Sequence, residues 1–486
     1  MNAKANDSKY LRVAIWNLGS LTGRCAELAE VLGRGRVHIA CIQKTKWVGA
    51  KSRDIGGGYK LYYYGEKTKT NGVAIAVNRD LQERVVSVNR YTDRIMSIKI
   101  MLNDSERLNI FSVYAPQAGN DENTKADFWE ELHHHLQGVL ASEMKVVCGD
   151  LNGHLGRENQ QYSKWHGGYG YGLENAQGRD ILELASAFNL AILNTYFKKK
   201  DEHLVTYKSG SNCSQIDYIL HDRTNVKACK DCKVIPGESH TSQHRVLIAD
   251  FRFNFQIRRV NVKRNAKIKW YKLKRNSRFT EEIRNYLEID IKHIEETETM
   301  WSKFESFCFK RAQENLGLSK GPLQSKNETW WWSDEVQKTI KQKKELFKAW
   351  QKTKKDEDHM KYKKAKKESA KAVSIAKEIA FEKFYDSLDT PEGEKGIYKI
   401  AKQRNNSTKD MRCVKYIKDE SGNTLTNEES IKKRWEEYYY LLLNDEFEHA
   451  AIEPAPRVEG AARQIDEDEV KEAVSKMKNN KATGPD

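Results

Sequence analysis

The chain has 486 residues and a net charge of +15, which is long enough for two to four domains with buried cores. It contains no apolar run near the roughly 18 residues of a membrane span, and its polar start has no apolar signal core. Eight scattered cysteines favour free thiols over disulfides. Only Cys229 and Cys232 have a metal-like spacing, and because there is no second pair, free thiols are favoured over a zinc site. We therefore expect an intracellular protein of the nucleus or cytoplasm, with no membrane partner.

Charge is distributed unevenly along the chain. Residues 1–250 contain 33 Lys and Arg and 28 Asp and Glu, whereas the remaining 236 residues contain 51 and 41. A positive balance indicates a polyanionic partner, and its concentration in the second part indicates where that partner binds. The change in composition predicts a domain at 1–255, a basic linker with a helical segment at 256–330 and a Lys-rich helical connector at 331–460.

Residues 1–255 alternate between short apolar runs and turns. Apolar alternation predicts strands at 11–15, 37–41, 72–77, 96–102, 108–114, 146–148, 190–193, 216–220 and 246–251. Amphipathic spacing predicts helices at 26–32, 127–140 and 180–188. Strands in runs with a few helices between them indicate packed sheets with helices outside, an α/β or α+β sandwich.

One stretch of this region, Val146 to Gly153, joins an apolar run to polar residues. Gly149 is expected to let the backbone turn, and Asp150 and Asn152 follow two residues apart. On a strand that continues into a loop, this spacing places both side chains on one side, where they can share a water or a phosphate oxygen. Taken alone, the stretch predicts a turn at least as well as a site, because Gly, Asp and Asn are common turn formers.

Further polar residues follow or interrupt other predicted strands. With the first stretch they form the set Asn17, Gln43, Lys44, Tyr114, Asp150, Asn152, Asp217 and His244. Each residue alone is better explained by a cap, a turn or an ordinary polar contact. Together they offer hydroxyl, amide, carboxylate and imidazole groups, which metal-assisted phosphodiester hydrolysis requires. That chemistry needs oxygen ligands for Mg²⁺ or Mn²⁺, a base or orienter for water, and donors for the phosphate.

The order of these motifs carries a resemblance. It consists of Trp16-Asn17, Ile42-Gln43-x-Thr45, Tyr114-Ala115-Pro116, Gly149-Asp150-x-Asn152, Ile216-Asp217-Tyr218 and Gln243-His244. Finer agreement is found at Thr92–Met96, Gly167–Gly172, Asn194–Phe197 and His203–Gly210. Residues 9–255 thereby resemble the endonuclease/exonuclease/phosphatase superfamily, and most closely the apurinic-endonuclease-like domain of RTE-type non-LTR retrotransposons. The resemblance implies a four-layered α/β sandwich that nicks one DNA strand in a Mg²⁺-dependent reaction and leaves a 3′-hydroxyl.

The resemblance also implies roles for the matched residues. Tyr114 would contact the scissile phosphate. Asp150 would orient or activate the attacking water, with Asn152 holding water or phosphate beside it. Asp217 would pair with His244, which fixes the imidazole tautomer and favours its charged form.

The metal ligands implied by the resemblance are incomplete in this sequence. Asn17 matches a metal-binding position, and Gln243 matches a weaker one. Lys44 stands where the family motif has its principal metal-binding glutamate. A charged lysine has no lone pair to offer, and at ~4 Å two unit charges in an effective dielectric of about 20 interact by about 4 kcal/mol. We expect an intact fold with weakened metal binding and impaired nicking. The alternatives are a nucleic-acid-binding remnant without useful activity, and a phosphatase or repair enzyme of the same superfamily.

Beyond residue 255 the candidate functional residues are basic. Arg258, Arg259, Lys274 and Arg275 flank Trp270 and Tyr271, a pattern that fits nucleic-acid binding and a solvated linker about equally. A Lys-rich helical segment is predicted at 334–388, with an apolar stripe at Ile340, Phe347, Trp350, Ile375 and Ile379 and with Lys363 and Lys364 on its basic face. Such a face is usually solvated, and contact with phosphates is the sharper hypothesis.

The end of the chain predicts a small hairpin at 415–423 and helices at 428–443 and 465–477. Residues 478–486 resemble the entry to the reverse transcriptase of the same retrotransposons, so 461–486 is interpreted as the start of a truncated domain. The sequence has no adjacent aspartate pair, so we expect no polymerase activity and interpret the chain as a fragment or truncated copy. The expected partners are DNA and the RNA of the element itself, with no small-molecule cofactor.

Overall fold

The structure is a computed structural model. It describes residues 10–486 except 68, 104–105, 238–242, 254–267, 276, 291–296, 319–332, 354, 387, 389, 412–415, 421, 423, 426, 445–465 and 477–486. The chain forms two compact units, Met1–Asn427 and Glu428–Asp486. Among the described residues, no helix is both long and apolar enough to cross a membrane.

The described secondary structure begins with a run of strands and continues as helices. The strands are β1 Leu11–Asn17, β2 Ile39–Gln43, β3 Lys51–Gly56, β4 Tyr59–Tyr64, β5 Val73–Asn78, β6 Val85–Thr92, β7 Ile95–Met101, β8 Arg107–Tyr114, β9 Met144–Asp150, β10 Leu155–Gly156, β11 Tyr171–Glu174, β12 Leu190–Ile192, β13 Tyr207–Ser209, β14 Asn212–Ser214, β15 Asp217–Asp222, β16 Cys229–Ile235, β17 Val246–Phe251, β18 Ile417–Lys418 and β19 Thr424–Leu425. The helices are α1 Cys25–Arg34, α2 Arg79–Gln82, α3 Glu122–Gln137, α4 Ala176–Ala187, α5 Ser277–Asn285, α6 Thr297–Leu316, α7 Asp334–Thr353, α8 Asp356–Asp386, α9 Pro391–Thr408, α10 Glu428–Leu443 and α11 Glu467–Lys476.

Two large sheets confirm the predicted sandwich. The first has the strand order β16-β17-β1-β2-β5-β4-β3, and the second has the order β12-β15-β9-β8-β7-β6. In each sheet one central pair is parallel, β1 with β2 and β8 with β9, and the other neighbours are antiparallel. All nine predicted strands and all three predicted helices of this region are present, and all but β17 have shifted ends.

The core between the sheets follows from the alternation of side chains along each strand. Val13 and Ile15 of β1, Cys41 of β2, and Val146 and Cys148 of β9 all face the same buried cluster. The opposite faces of the two sheets are covered by helices. Helix α1 packs its Leu28 and Leu32 on the first sheet, while α3 and α4 pack on the second. The result is four layers in the order helix, sheet, sheet, helix.

Eight strands of this region were not predicted: the short strands β10, β11, β13 and β14, which lie outside the two large sheets, and β3, β4, β6 and β16 within them. Charged residues interrupt their apolar patterns, as Lys60 does in β4, where the side chain is fully buried. In β16 the register shifts between Cys229 and Asp231, which removes the alternation that predicts a strand. Of the four strands in the large sheets, β3, β6 and β16 are edge strands, and β4 lies next to the edge, between β3 and β5.

The expected turn at Gly149 is wrong. Gly149 lies inside β9 and pairs with Val113 of β8 and Tyr218 of β15. A Cβ at this position would clash with the carbonyl oxygen of Val113, so the glycine permits close approach of two strands. Cys229 and Cys232 are both buried in or beside the core and are free thiols.

The predicted Lys-rich helical segment consists of two consecutive helices, α7 and α8, which form a helical hairpin. Aromatic side chains pack between the two helices. Phe347 and Trp350 of α7 contact Tyr362 of α8, with ring centroids 5.1 and 5.7 Å apart. Ser333 precedes α7, and its hydroxyl accepts a hydrogen bond from Val336 N at 3.3 Å, which caps the first turn of the helix. The predicted apolar stripe is only partly correct, because Ile375 and Ile379 are exposed.

Helical segments after residue 268 contact the sandwich. The Lys343 ammonium of α7 forms an ion pair with Glu27 of α1, and both side chains are largely buried. Two residues after the end of α9, Asp410 accepts two hydrogen bonds from Arg90 of β6, at 2.7 and 2.8 Å. The domain boundary near residue 255 stays a prediction. In the remaining chain, the hairpin β18–β19 and the helices α10 and α11 confirm the predicted elements.

Candidate active site

The carboxyl ends of four strands meet at one end of the sandwich. In the first sheet, Asn17 of β1 pairs with Gln43 of β2. In the second sheet, Asp150 of β9 pairs with Tyr114 of β8 on one side and with Asp217 of β15 on the other. The two parallel strand pairs therefore end side by side, and the polar residues that follow their apolar runs lie in register.

These residues continue the inward-facing rows that build the core. Because side chains alternate along a strand, Asn17 lies on the same face as Val13 and Ile15, and Asp150 on the same face as Val146 and Cys148. The two rows meet across the sheets, where Asn17 Nδ2 donates to Asp150 Oδ2 at 2.8 Å. Asn17 Oδ1 accepts from Gly19 N at 3.1 Å, which fixes the orientation of the amide.

Asp217 and His244 form the predicted pair. His244 Nδ1 lies 3.2 Å from Asp217 Oδ2, and His244 Nε2 lies 3.8 Å from Asp150 Oδ2. Burial alone would lower the pKa of His244, but the carboxylates of Asp217 and Asp150 outweigh it and raise the pKa above the usual value. The imidazole therefore lies between two carboxylates, which favours its charged form.

Asp150 is the most deeply buried acid of the cluster, with no exposed surface. Burial, with the nearby carboxylate of Asp217, raises its pKa to about 6, while His244 and the amide of Asn17 oppose this change. A carboxyl group with such a pKa can exchange a proton near neutral pH, as a general base for water must.

The oxygen donors of the cluster fit a hard divalent cation. The carboxylates of Asp150 and Asp217 each offer an oxygen, and these atoms lie within 4.8 Å of each other and of a ring nitrogen of His244, which has no lone pair for a metal while it is charged. Among the described residues, Asp217 Oδ1 is buried without a hydrogen-bond partner, and this leaves an oxygen lone pair available inside the site. Carboxylate and amide oxygens are the ligands that Mg²⁺ and Mn²⁺ accept.

Lys44 lies beside Tyr114, where it faces the same site. Its ammonium is 5.2 Å from the centre of the Tyr114 ring, and the Arg94 guanidinium is 5.1 Å from that ring. Burial lowers the pKa of Lys44, although the negative charge of Asp150 acts in the opposite direction. Two cations thus flank a tyrosine whose pKa is raised by burial and by Asp150. The Arg94 side chain also donates to the Tyr114 carbonyl at 3.2 Å. Arg94 lies within the motif Thr92–Met96 but was not predicted as a site residue.

Other residues that hold the site in place were missed. Thr206 is fully buried, and its hydroxyl accepts from Asp217 N at 3.2 Å. Asn194 Nδ2 donates to the Asp217 carbonyl at 2.8 Å, and its Oδ1 accepts from Ile219 N at 3.0 Å. Both residues fix the start of β15. In the sequence, Asn194 and Thr206 lie in the motifs Asn194–Phe197 and His203–Gly210, to which no function was assigned.

Asn152 and Gln243 are placed differently from the central cluster. Asn152 has a φ of 50° and its backbone N donates to Asp150 Oδ1 at 3.2 Å, while its Nδ2 donates to the Ala115 carbonyl at 2.8 Å. Gln243 is exposed, and its Nε2 donates to the hydroxyls of Tyr207 and Ser209 at 3.3 and 3.5 Å. The structure brings Asn152 to Asp150 but directs Gln243 toward the hairpin β13–β14.

The predicted nucleic-acid-binding residues lie in separate parts of the chain. Lys363 and Lys364 are exposed on α8. Lys274 and Arg275 belong to a short 3₁₀ turn, Trp270–Arg275. Arg258 and Arg259 lie outside the described residues, as do the three tryptophans at 330–332.

Comparison with known proteins supports one family. The sequence profile described as the Endonuclease/Exonuclease/phosphatase family matches residues 14–244, which include both Asn17 and His244. Craniofacial development protein 2 of Bos taurus is 29% identical over 249 residues, which are 50% of this chain and 41% of that protein. The chain spans less than half the length of the curated relatives it matches.

Two solved structures are also similar. An AP endonuclease from Archaeoglobus fulgidus is 21% identical and matches over 50% of this chain and 100% of its own, with a TM-score of 0.38. The endonuclease domain of TRAS1, a telomere-specific non-LTR retrotransposon, is 18% identical and matches over 50% of this chain and 99% of its own, with a TM-score of 0.37.

Proposed function

We propose that residues 14–244, which match the Endonuclease/Exonuclease/phosphatase family, form a phosphodiesterase that hydrolyses DNA. The observation that carries the proposal is the direct contact of four polar side chains at one end of the sandwich. Asn17 binds Asp150 across the two sheets, and His244 lies between Asp150 and Asp217. Burying two acids and an imidazole together costs free energy, and such clusters are typical of catalytic sites.

The residues divide into those that act on water and those that act on phosphate. Asp150 orients the attacking water and accepts its proton, because its raised pKa is close to neutral. His244, held by Asp217, stabilises the negative charge that develops on the phosphate. Tyr114 and the cations beside it, Lys44 and Arg94, contact the phosphate oxygens.

A divalent metal ion is part of the proposal. The amide oxygen of Asn17 and the unpartnered Oδ1 of Asp217 would hold it beside Asp150, and when bound it would polarise the phosphate and stabilise the leaving oxygen. Mg²⁺ is the proposed ion, and Mn²⁺ the replacement. We further propose that the product is a single-strand nick with a 3′-hydroxyl, and that the chain derives from an RTE-type retrotransposon. The RNA of such an element is then a second partner.

A second function, binding without efficient hydrolysis, is favoured by one observation. Lys44 places a half-buried cation in the site where a further oxygen ligand would strengthen metal binding. A nearby positive charge weakens divalent-ion affinity, so turnover falls even though the other residues are in place. Under this alternative the protein is a nucleic-acid-binding remnant.

Hydrolysis of supercoiled plasmid DNA tests the proposal. The expected result is conversion to the nicked circle that requires Mg²⁺ or Mn²⁺, stops with EDTA and is lost in His244→Ala. Leu140→Ala, which removes an exposed side chain from the same domain, serves as the matched control and should nick like the original protein. Binding of the plasmid with no metal-dependent nick at any metal concentration would favour the second function. Absence of both binding and hydrolysis would exclude both.

A further inference from the structure

The α7–α8 hairpin has a packing face and an opposite, lysine-bearing face on each helix. In α7 the buried residues Val336, Ile340 and Phe347 recur at helical spacing, and in α8 Tyr362, Ala365 and Ser369 do so. The residues on the other side form what we name the lysine stripes, defined as the exposed residues Lys338, Lys341, Lys348 and Lys352 of α7 and Lys364, Lys367 and Lys371 of α8.

The lysine stripes are ordered by the helices and, among the described residues, their charges are unpaired, although the exposed Glu368 lies four residues after Lys364 in the α8 stripe. Steps of three, four and seven residues keep each stripe on one face. None of the seven forms an ion pair with an acidic residue in the described part of the chain, although the exposed Glu345 interrupts the α7 stripe. By contrast, Lys361 of the same hairpin is paired with Glu357 and Asp358, at 3.3 and 3.8 Å. At a rise of 1.5 Å per residue, the α7 stripe is about 21 Å long.

The hairpin is attached close to the candidate active site. Glu27, the partner of Lys343, lies in the first turn of α1. Helix α1 connects the parallel strands β1 and β2, so its first turn lies at the end of the first sheet where Asn17 is found. The ion pair is well shielded, with side-chain exposures of 8% for Lys343 and 13% for Glu27. The hairpin is therefore held at the site end of the sandwich and not on a free linker.

We infer that the lysine stripes are a second binding surface for duplex nucleic acid, which tracks the phosphate backbone beside the candidate active site. Phosphates of one strand are spaced about 3.4 Å along the axis of a duplex, so the α7 stripe spans roughly six of them. A lysine row contacts phosphates without reading bases, so the surface adds affinity and salt dependence but no sequence preference. The inference rests on the proposed function for its choice of DNA as substrate.

Equilibrium binding in EDTA tests the inference separately from catalysis. The probe is a fluorescein-labelled DNA duplex of about 30 base pairs, and its anisotropy is measured from about 50 to 300 mM KCl. Two double variants, K341Q/K348Q and K364Q/K367Q, each remove two unpaired charges. The control variant K361Q/K471Q also removes two lysines, but both of these are paired with acids. Circular dichroism establishes that each variant folds.

Each stripe variant should lower the slope of log K against log salt by about 1.8 and weaken binding at about 100 mM salt roughly tenfold or more. The control should change the slope by less than about 0.5. An unchanged slope in both stripe variants would overturn the inference, as would an equal loss in the control. Competition by poly-glutamate as strong as that by DNA, at equal charge concentration, would also overturn it in favour of an acidic protein partner. Because no turnover is measured, loss of nicking alone counts against the proposed function and not against the stripes.

Discussion

The sandwich and the α7–α8 hairpin place their functional polar groups in opposite environments. In the sandwich, Asp150 and Asp217 are at most 1% exposed and each is held by a specific neighbour. In the hairpin, the lysine stripes are exposed and none is held by an acidic residue among those described. Buried charges interact strongly over short distances, whereas exposed charges are screened by salt. The sandwich therefore depends on geometry, and the hairpin depends on the number of charges.

The largest effect expected from this difference is on turnover. Asp150→Asn removes the group that accepts a proton while keeping the size of the side chain, and it should reduce the rate of hydrolysis by about 10²–10⁴-fold. Binding of duplex DNA in EDTA should change by roughly twofold at most, because the exposed charges remain. The measurements are single-turnover cleavage and anisotropy.

The stripe variant K364Q/K367Q is the matched control, because it should weaken binding while single-turnover cleavage at saturating protein stays near the original rate. If Asp150→Asn weakened binding and left cleavage intact, the division of labour between the two regions would be wrong.

The second effect concerns stability. Ile219 is fully buried between the sheets, two residues after Asp217, whereas Phe347 lies in the small aromatic cluster of the hairpin. Ile219→Ala should lower the free energy of unfolding of the sandwich by about 2–5 kcal/mol. Phe347→Ala should reduce the hydrogen-exchange protection of α7 and α8 and leave that of β9 and β15 unchanged. Equal loss of protection in both regions would mean that they unfold as one unit.

The sequence predicted the groups that meet in the site because they follow a simple geometric rule. Asn17, Tyr114 and Asp150 end apolar strands, and inward-facing positions at strand ends continue the core. The pairing of Asp217 with His244 came from the family resemblance, since 26 intervening residues give no local signal.

Other contacts could not be predicted, because their partners are distant in sequence and carry no distinctive pattern. Thr206 acts through the backbone of Asp217, and Lys343 reaches Glu27 across more than 300 residues. Lysine in a helix normally predicts an exposed face, so the burial of Lys343 follows from tertiary packing alone. The same reason explains β4, where the buried Lys60 interrupts an apolar strand.

A third, smaller effect concerns metal affinity. Lys44→Glu replaces a cation with an oxygen ligand in a half-buried site, and it should tighten Mn²⁺ binding by about tenfold or more. Electron paramagnetic resonance measures free Mn²⁺ directly and does not require turnover. Lys46→Glu makes the same change of charge two residues away, and it should alter the affinity by about threefold at most. If both variants gave the same affinity, overall charge and not the position of Lys44 would control the ion.

The smallest effect decides whether the end of α9 belongs with the sandwich or with the helices. Arg90 of β6 makes a bidentate contact with Asp410, and the side chains are 12% and 33% exposed. Because partly exposed pairs are screened by water, a double-mutant cycle of Arg90→Ala and Asp410→Ala should give a coupling of about 1 kcal/mol in urea unfolding of the sandwich. Arg90 Nε also donates a hydrogen bond to the Tyr63 carbonyl. This bond is lost in both the single Arg90→Ala variant and the double variant, so its loss cancels in the cycle. A coupling near zero would show that Asp410 contacts the sandwich without stabilising it. The stability of the sandwich would then depend on residues before 254 alone.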